Sequence, residues 1–200
     1  MVDIRHFIND FPLEVHADKM PWDIVKILVR IINDIIPQLD DDFLVSDGIA
    51  VHKSAIVEPG AVLKPPLIIF ANGFIGAHAY LRGGVFLGES VEIGPGCEIK
   101  SSIICSRSSV AHFNFIGDSI IGSHVNFEAG SITTNYHNDK VDKRIFSVYN
   151  SKVIDTGVDK FGSLVGDHSK IGASAVLSPG TLLPKNSIVK RLELVDQYSR

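Results

Sequence analysis

Arg82, Glu98, Lys100, His112, Asn114, Asn126, Asn135 and Tyr136 are polar side chains at positions where the surrounding sequence otherwise carries aliphatic or small residues. Arg82 and Lys100 are 18 residues apart. In a chain that coils with that period they stand one above the other. Two stacked cations suit a phosphate or diphosphate, which guanidinium and ammonium groups hold through charge-assisted hydrogen bonds. Stacked like charges without an anion are mildly unfavourable, so an anion site is the expectation over a solvated edge. Histidine is the side chain that exchanges a proton near neutral pH, so His112 can serve as a general base. It follows Lys100 by 12 residues, which sets it on another part of the coil or in a site completed by a neighbouring subunit.

Such a site needs a scaffold that repeats every 18 residues. Ile75, Leu81, Leu87, Ile93 and Ile99 recur on a six-residue beat, and Gly76, Gly88 and Gly94 follow three of them. The beat returns at Val165, Ile171, Leu177 and Leu183, and it starts earlier at Ile56 and Val62. A helix would give a period of 3.6 and a half-buried strand a period of 2. A hexapeptide period points instead to a parallel β-helix. The pattern resembles the left-handed parallel β-helix, in which three six-residue sides make one triangular coil. The aliphatic residue of each hexapeptide points inward, and small residues turn the corners. The expected fold class is therefore all-β: a left-handed parallel β-helix of hexapeptide repeats with an N-terminal α-helix and an extruded loop.

Two hundred residues fit one domain with a small appendage. A net charge of −4 excludes a generally basic surface for nucleic acid or an anionic membrane. Cys97 and Cys105 make no disulfide framework. No signal peptide and no long apolar run is visible, so a cytoplasmic location is expected. Residues 1–45 form an N-terminal segment, with a loop or short strand up to residue 20 and a helix over 21–36. Pro21 and Asp23 suit its first turn. Ile24, Ile27, Leu28, Ile31, Ile32 and Ile35 make one apolar stripe, expected to pack on the open end of the β-helix or on another subunit. Asp40, Asp41 and Asp42 read as a solvated linker rather than a metal site. The β-helix is expected over 46–185, with a one-residue slip at Ile104 and an extruded loop over 136–160. Residues 186–200 form a tail in which Ile188, Val189, Leu192 and Leu194 cap the last coil.

The stretch from Ala111 to Tyr136 carries a sharper likeness. His112, Phe115, Gly117-Asp118, Ile121-Gly122, Asn126, Ala129-Gly130-Ser131-Ile132-Thr133 and Asn135-Tyr136 resemble the acetyltransferase domain of the bifunctional N-acetylglucosamine-1-phosphate uridyltransferase. They are similar also to the C-terminal domain of archaeal sugar-1-phosphate nucleotidylyltransferases that acetylate amino-sugar phosphates. Leu81-Arg82-Gly83 resembles that family's phosphate-binding arginine turn, and Glu98-Ile99-Lys100 its Glu-x-Lys. Pro21-Trp22-Asp23 resembles the start of its linking helix. The resemblance covers roughly residues 20–185. It implies acetyl-CoA-dependent N-acetylation of an amino-sugar 1-phosphate. His112 then corresponds to the general base, and Glu98 to the carboxylate that supports it. Arg82 and Lys100 correspond to the cations on the sugar phosphate. Asn126, Asn135 and Tyr136 correspond to residues that position the sugar, with Phe115 at an aromatic position beside them. Acetyl-CoA would lie between two subunits of a homotrimer, and no metal is implied.

The chain departs from that pattern. Phe115 replaces a tyrosine and so loses a hydrogen bond worth about 1 kcal/mol. Glu128 replaces a glycine and adds charge near Asn126, and Thr134 replaces a cysteine or small residue. Nothing before Met20 resembles a glycine-rich nucleotide loop, so a separate nucleotidyltransferase is the expected partner. Three other readings stay open. One is a hexapeptide acyltransferase for another acceptor, using the same histidine. A second is a degenerate scaffold or regulatory partner of a nucleotidyltransferase, motivated by Phe115 and Glu128. The third is a γ-type carbonic anhydrase with zinc on three histidines. His78, His112, His124, His137 and His168 supply imidazoles for it, but none shows that family's His-x4-His spacing. A thioester is already activated, so no covalent nucleophile is needed. Cys97 and Cys105 read as small buried residues.

Overall fold

The computed structural model describes residues 2–198; residue 1 and residues 199–200, the outer ends of the expected N-terminal segment and C-terminal tail, lie outside them. Ile75, Leu81, Leu87, Ile93 and Ile99 are all fully buried, because the six-residue beat forms the inside of a three-sided parallel β-helix. On the first face Ile49–His52 pairs with Leu67–Ile69, which pairs with the second half of Tyr80–Leu87. The second face is a seven-stranded parallel sheet running from Ile56–Val57 to Ile188–Val189. The third stacks the first half of Tyr80–Leu87 on Glu98–Ile104, then Phe115–Gly117 and Ile132–Thr133. Burying one aliphatic side chain contributes about 1.5–3 kcal/mol, so the inner stack is the main stabilising term. Close stacking leaves no room at some corners: a Cβ at Gly94 would stand 1.3 Å from the Ala111 carbonyl oxygen of the next coil. The slip seen in the sequence at Ile104 arises at a corner, between the pairs Arg82–Lys100 and Val85–Ser102.

The first face is apolar on both sides. Leu67, Ile69, Leu87 and Ile104 point into the prism, while Ile68, Phe86, Ile103, Ile120, Leu164 and Leu182 point out. This is why the sequence reads there as unbroken apolar runs such as Leu67-Ile68-Ile69 rather than as an alternation. The outer row is covered by the N-terminal segment. Two helices, α1 (Pro21–Lys26) and α2 (Leu28–Ile35), lie on it through Ile24, Leu28, Ile31 and Ile32. The expected stripe is therefore correct, but its partner is a side of the prism and not the open end or another subunit. The expected helix over 21–36 is also interrupted, since Ile27 leaves helical geometry at φ −104° and ψ 8°. Residues 2–20 form two short 3-10 turns, Ile4–His6 and Glu14–His16, instead of a strand. Buried Asp167 ties them down: its carboxylate accepts the Asn9 N–H at 2.8 Å and its own N–H donates to the Phe7 carbonyl at 2.9 Å.

Helix α2 reaches the prism because the corner there is Gly83-Gly84. Gly84 has φ +91°, and an added Cβ would meet the Val29 Cγ2 at 3.0 Å. Gly84→Ala is expected to cost about 1–2 kcal/mol from the left-handed backbone alone, before any displacement of α2. A urea midpoint equal to wild type would contradict this packing.

Two further expectations change. The repeat does not stop near residue 185, since Ile188–Val189 and Leu194–Val195 pair as regular rungs with Lys170–Ile171 and Val176–Leu177. The extruded loop folds as an antiparallel hairpin, Phe146–Tyr149 with Lys152–Asp155, and it is anchored on the N-terminal segment. Tyr149 packs against Phe7 with ring centres 5.8 Å apart and planes tilted by 40°, and its hydroxyl lies 2.9 Å from His6 Nδ1. Trp22 meets Phe161 edge-on at 5.7 Å. Among the described residues no helix is long and apolar enough to cross a membrane.

Candidate active site

The third face carries a ladder of charged side chains. Arg82 and Lys100 occupy paired positions on adjacent strands, as their spacing predicts. Strand alternation turns Leu81 and Ile99 inward and leaves their neighbours outward. The two cations do not stand bare, however. Arg82 donates through Nε and Nη2 to Glu98 Oε1 at 2.7 and 2.5 Å, and its guanidinium lies 5.7 Å from the Tyr80 ring centre. Lys100 Nζ donates to Asp118 Oδ2 at 2.5 Å. The Asn135 side-chain amide donates to the same oxygen. The sequence reading of an unneutralised cation pair is therefore corrected: each cation already has a carboxylate. Like-charge repulsion is removed within the chain, and an incoming phosphate must compete with or join these pairs.

Phe115 pairs with Glu98 on the next strand, and its ring lies over Gly117. A Cβ at Gly117 would stand 2.6 Å from Phe115 Cζ and 2.9 Å from Asn135 Nδ2, so all three gather at one corner. Arg82, Glu98, Lys100, Phe115 and Asn135 thus form one continuous surface. Asp118 completes it and was not singled out as a site residue from the sequence. Its signal was available: it follows Lys100 by the coil length.

His112 is exposed and sits at the corner between Ser109–Val110 and Phe115–Gly117. Among the described residues its ring makes no hydrogen bond; its carbonyl accepts from the Gly130 N–H at 2.9 Å and from the Asn114 amide at 3.3 Å. The Phe113 ring lies beside it, with centres 6.1 Å apart. The Glu98 carboxylate is bonded to Arg82 and not to His112. Asn126 lies on the second face, between Ser109 and Lys170, away from the Arg82 ladder. It borders a groove of about 480 Å³ shared with Glu128, Lys170, Lys190 and Arg191. Glu128 accepts from Arg191 Nε at 2.8 Å and Nη2 at 2.7 Å, and from the Ala173 N–H at 2.8 Å. The Arg191 bond, then the backbone N–H, hold its carboxyl below the ordinary carboxylate range. The departure at Glu128 is thus built into a coil-to-coil bond.

Tyr136 is partly exposed, with the Lys143 ammonium 5.0 Å from its ring centre. Lys143 also donates to the carbonyls of His137 and Asn138 at 2.8 and 3.0 Å, which ties down the start of the insertion. Burial, then the charge of Lys140, hold His137 below the ordinary histidine range. A depressed folded value means stability present above the unfolded value and lost as pH falls through the folded one. Protection factors of the amides of residues 135–143, exchange rates corrected for the intrinsic pH dependence, are accordingly expected to fall as the solution is taken below the ordinary histidine range, and His137→Gln to abolish that fall. Protection factors that stay equal between pH 7.5 and pH 5 in the wild-type chain would refute it.

Cys97 and Cys105 are buried free thiols, and burial pushes both upward in pKa, Cys105 the further. Neither is poised as a thiolate nucleophile. His124 and His168 stack at 4.8 Å on neighbouring coils. Among the described residues no group of three or more His, Cys, Asp or Glu side chains could hold a metal ion.

Comparison with known proteins adds sequence relatives to this geometry. The family described as GMPPB C-terminal domain matches residues 66–197. A "Bifunctional protein GlmU" of Methanococcus maripaludis strain S2 is 35% identical over 181 residues, covering 88% of this chain and 43% of that protein. The same-named protein of strain C7 is 43% identical over 180 residues, with the same coverage of 88% and 43%. A "Bifunctional sugar-1-phosphate nucleotidylyltransferase/acetyltransferase" of Sulfurisphaera tokodaii is 33% identical over 87 residues, 44% of this chain and 21% of that protein. The chain spans less than half the length of the curated relatives it matches.

Proposed function

The chain belongs to the GMPPB C-terminal domain family, and on that premise we propose that it is an acetyl-CoA-dependent N-acetyltransferase acting on an amino-sugar 1-phosphate such as glucosamine-1-phosphate. One observation carries the reading: the exposed His112 imidazole, which makes no hydrogen bond among the described residues, precedes the strand Phe115–Gly117 that runs into a surface built of Arg82, Lys100, Asp118 and Asn135. The relative named as a nucleotidylyltransferase/acetyltransferase supports the reaction class.

Acetyl-CoA supplies an acetyl group already activated as a thioester. The sugar amine forms a bond to the acetyl carbon as the carbon–sulfur bond breaks, and its proton passes to the free imidazole nitrogen of His112 and on to the departing sulfur. Arg82 and Lys100 hold the sugar phosphate by charge-assisted bonds while keeping their carboxylate partners. Asn135 and Tyr136 orient the ring, and Phe115 gives it an apolar wall. The groove beside Asn126 suits an anionic co-substrate, since Lys170 and Lys190 border it while Glu128 is engaged by Arg191. Aligning two bound substrates is the largest contribution, because a thioester needs no covalent enzyme intermediate. A homotrimer belongs to the same reading, with acetyl-CoA between two subunits and the groove beside Asn126 at that interface. A separate nucleotidyltransferase partner and a cytoplasmic location belong to the same reading.

The test is thiol release from acetyl-CoA with glucosamine-1-phosphate, then with galactosamine-1-phosphate. Release that depends on the amino sugar supports the proposal. A second reading, a non-catalytic partner of a nucleotidyltransferase, is favoured by the engagement of Glu98 with Arg82 instead of His112. No release with either sugar from a folded trimer would favour that second reading.

A further inference from the structure

His112 turns a corner of the prism, and the same corner position carries Ala77, Pro95 and Ala129 in neighbouring coils. Two residues further on, each coil points one side chain inward: Ala79, Cys97 and Ser131 in those coils, and Asn114 in the coil of His112. The coil that presents an imidazole outside is thus the one that carries an amide inside. Asn114 is 2% exposed. Packing does not call for an amide there, since an alanine fills the place at Ala79. A buried amide is unfavourable unless its hydrogen bonds are made.

Those bonds are made, and they lead to His112. The Asn114 amide nitrogen donates to the His112 carbonyl at 3.3 Å and faces Cys97 Sγ of the preceding coil at 3.9 Å. Its Oδ1 accepts from the Ser131 hydroxyl of the following coil at 2.7 Å. The His112 carbonyl fixes the orientation, because the oxygen end of the amide would repel it. The main chain of the histidine is therefore tied to the coils on either side. The Gly130 N–H adds a second bond to the same carbonyl at 2.9 Å, and the Phe113 N–H donates to the Pro95 carbonyl at 3.2 Å. Phe113 itself stands in the left-handed region at φ +56°, where a bulky residue is held by its surroundings.

The His112 ring makes no hydrogen bond among the described residues. Its place is set through its main chain. A general base must stand within hydrogen-bond reach of the proton it takes, and a displacement of about 1 Å can lower a rate about 10²-fold. We propose that Asn114 is a positioning residue for His112, holding from inside the prism the corner on which the base stands. The inference rests on the acetyl-transfer reading above and adds to it a buried residue that touches neither substrate.

The experiment compares the full chain with Asn114→Ala, His112→Ala and the double variant, and with Ser108→Ala as control. Ser108 is 1% exposed and donates to the Gly122 carbonyl at 2.7 Å, at the preceding corner of the same coil. Thiol release from acetyl-CoA with glucosamine-1-phosphate is measured beside urea unfolding. Asn114→Ala is expected to lower kcat about 10–100-fold with KM for the amino sugar kept, and Ser108→Ala to keep both at a comparable fall in urea midpoint. In the His112→Ala background the Asn114 substitution should add no further loss, because a residue acting through the imidazole has nothing left to position. Wild-type kcat in Asn114→Ala would overturn the proposal. So would an equal loss in Ser108→Ala, which would reduce the role to stability, or a full further loss in the double variant, which would place the effect elsewhere. In all three cases the wild-type chain still turns over, and the reaction assignment stands. A wild-type chain that releases no thiol is a different result: it would overturn the acetyl-transfer reading and this role with it.

Discussion

His112→Ala is expected to lower acetyl transfer by about 10²–10⁴-fold, the usual share of a positioned general base. The fold should survive, because the ring makes no hydrogen bond among the described residues and the local backbone is held through the His112 carbonyl instead. The loss should appear in kcat, with KM for the amino sugar little changed, since the imidazole acts on the proton that leaves only in the transition state. Steady-state thiol release at varied amino-sugar concentration reads both terms. A variant that turns over at the wild-type rate would remove His112 from the mechanism.

The second large effect concerns stability. Asp118→Ala is expected to cost about 3–5 kcal/mol, because it leaves a largely buried Lys100 ammonium without its partner. The two side chains of that pair are only 18% and 10% exposed, far less than the pairs on the outer surface, whose loss should be small. Asn135 loses its acceptor in the same substitution, so the start of the inserted loop should loosen as well. Urea denaturation measures the first effect and amide exchange at residues 134–138 the second. Replacing both partners by apolar residues, Lys100→Met with Asp118→Leu, should recover much of the stability while abolishing sugar-phosphate binding. If Asp118→Ala unfolds at the wild-type urea concentration, the Lys100–Asp118 pair is not an internal tie.

Residue type and spacing alone determined the β-helix, the inward stack and the alignment of Arg82 over Lys100. In a solenoid each coil contacts only its neighbours, so a local period carries directly into three-dimensional register. The slip at Ile104 and the loss of the beat after Tyr136 were legible for the same reason. The stripe from Ile24 to Ile35 was legible as a helix face, yet where it packs was not. Its partner row, Ile68, Phe86, Ile103 and Ile120, is scattered through distant sequence and is recognisable in hindsight as apolar runs buried on both sides. The rungs at Ile188–Val189 and Leu194–Val195 were hard to read because Ile188, Leu192 and Leu194 face outward and resemble a cap, while Val189 alone keeps a clear inward beat. Only the tertiary structure decided the charges at the site. Whether Glu98 serves His112 or Arg82 depends on side-chain reach across a corner, and whether Lys100 is free depends on Asp118 one coil away. The contact of Trp22 with Phe161 joins segments more than a hundred residues apart, and no period connects them. Repeats write their register into the sequence, whereas contacts between a repeat and the segments folded onto it depend on how the whole chain closes.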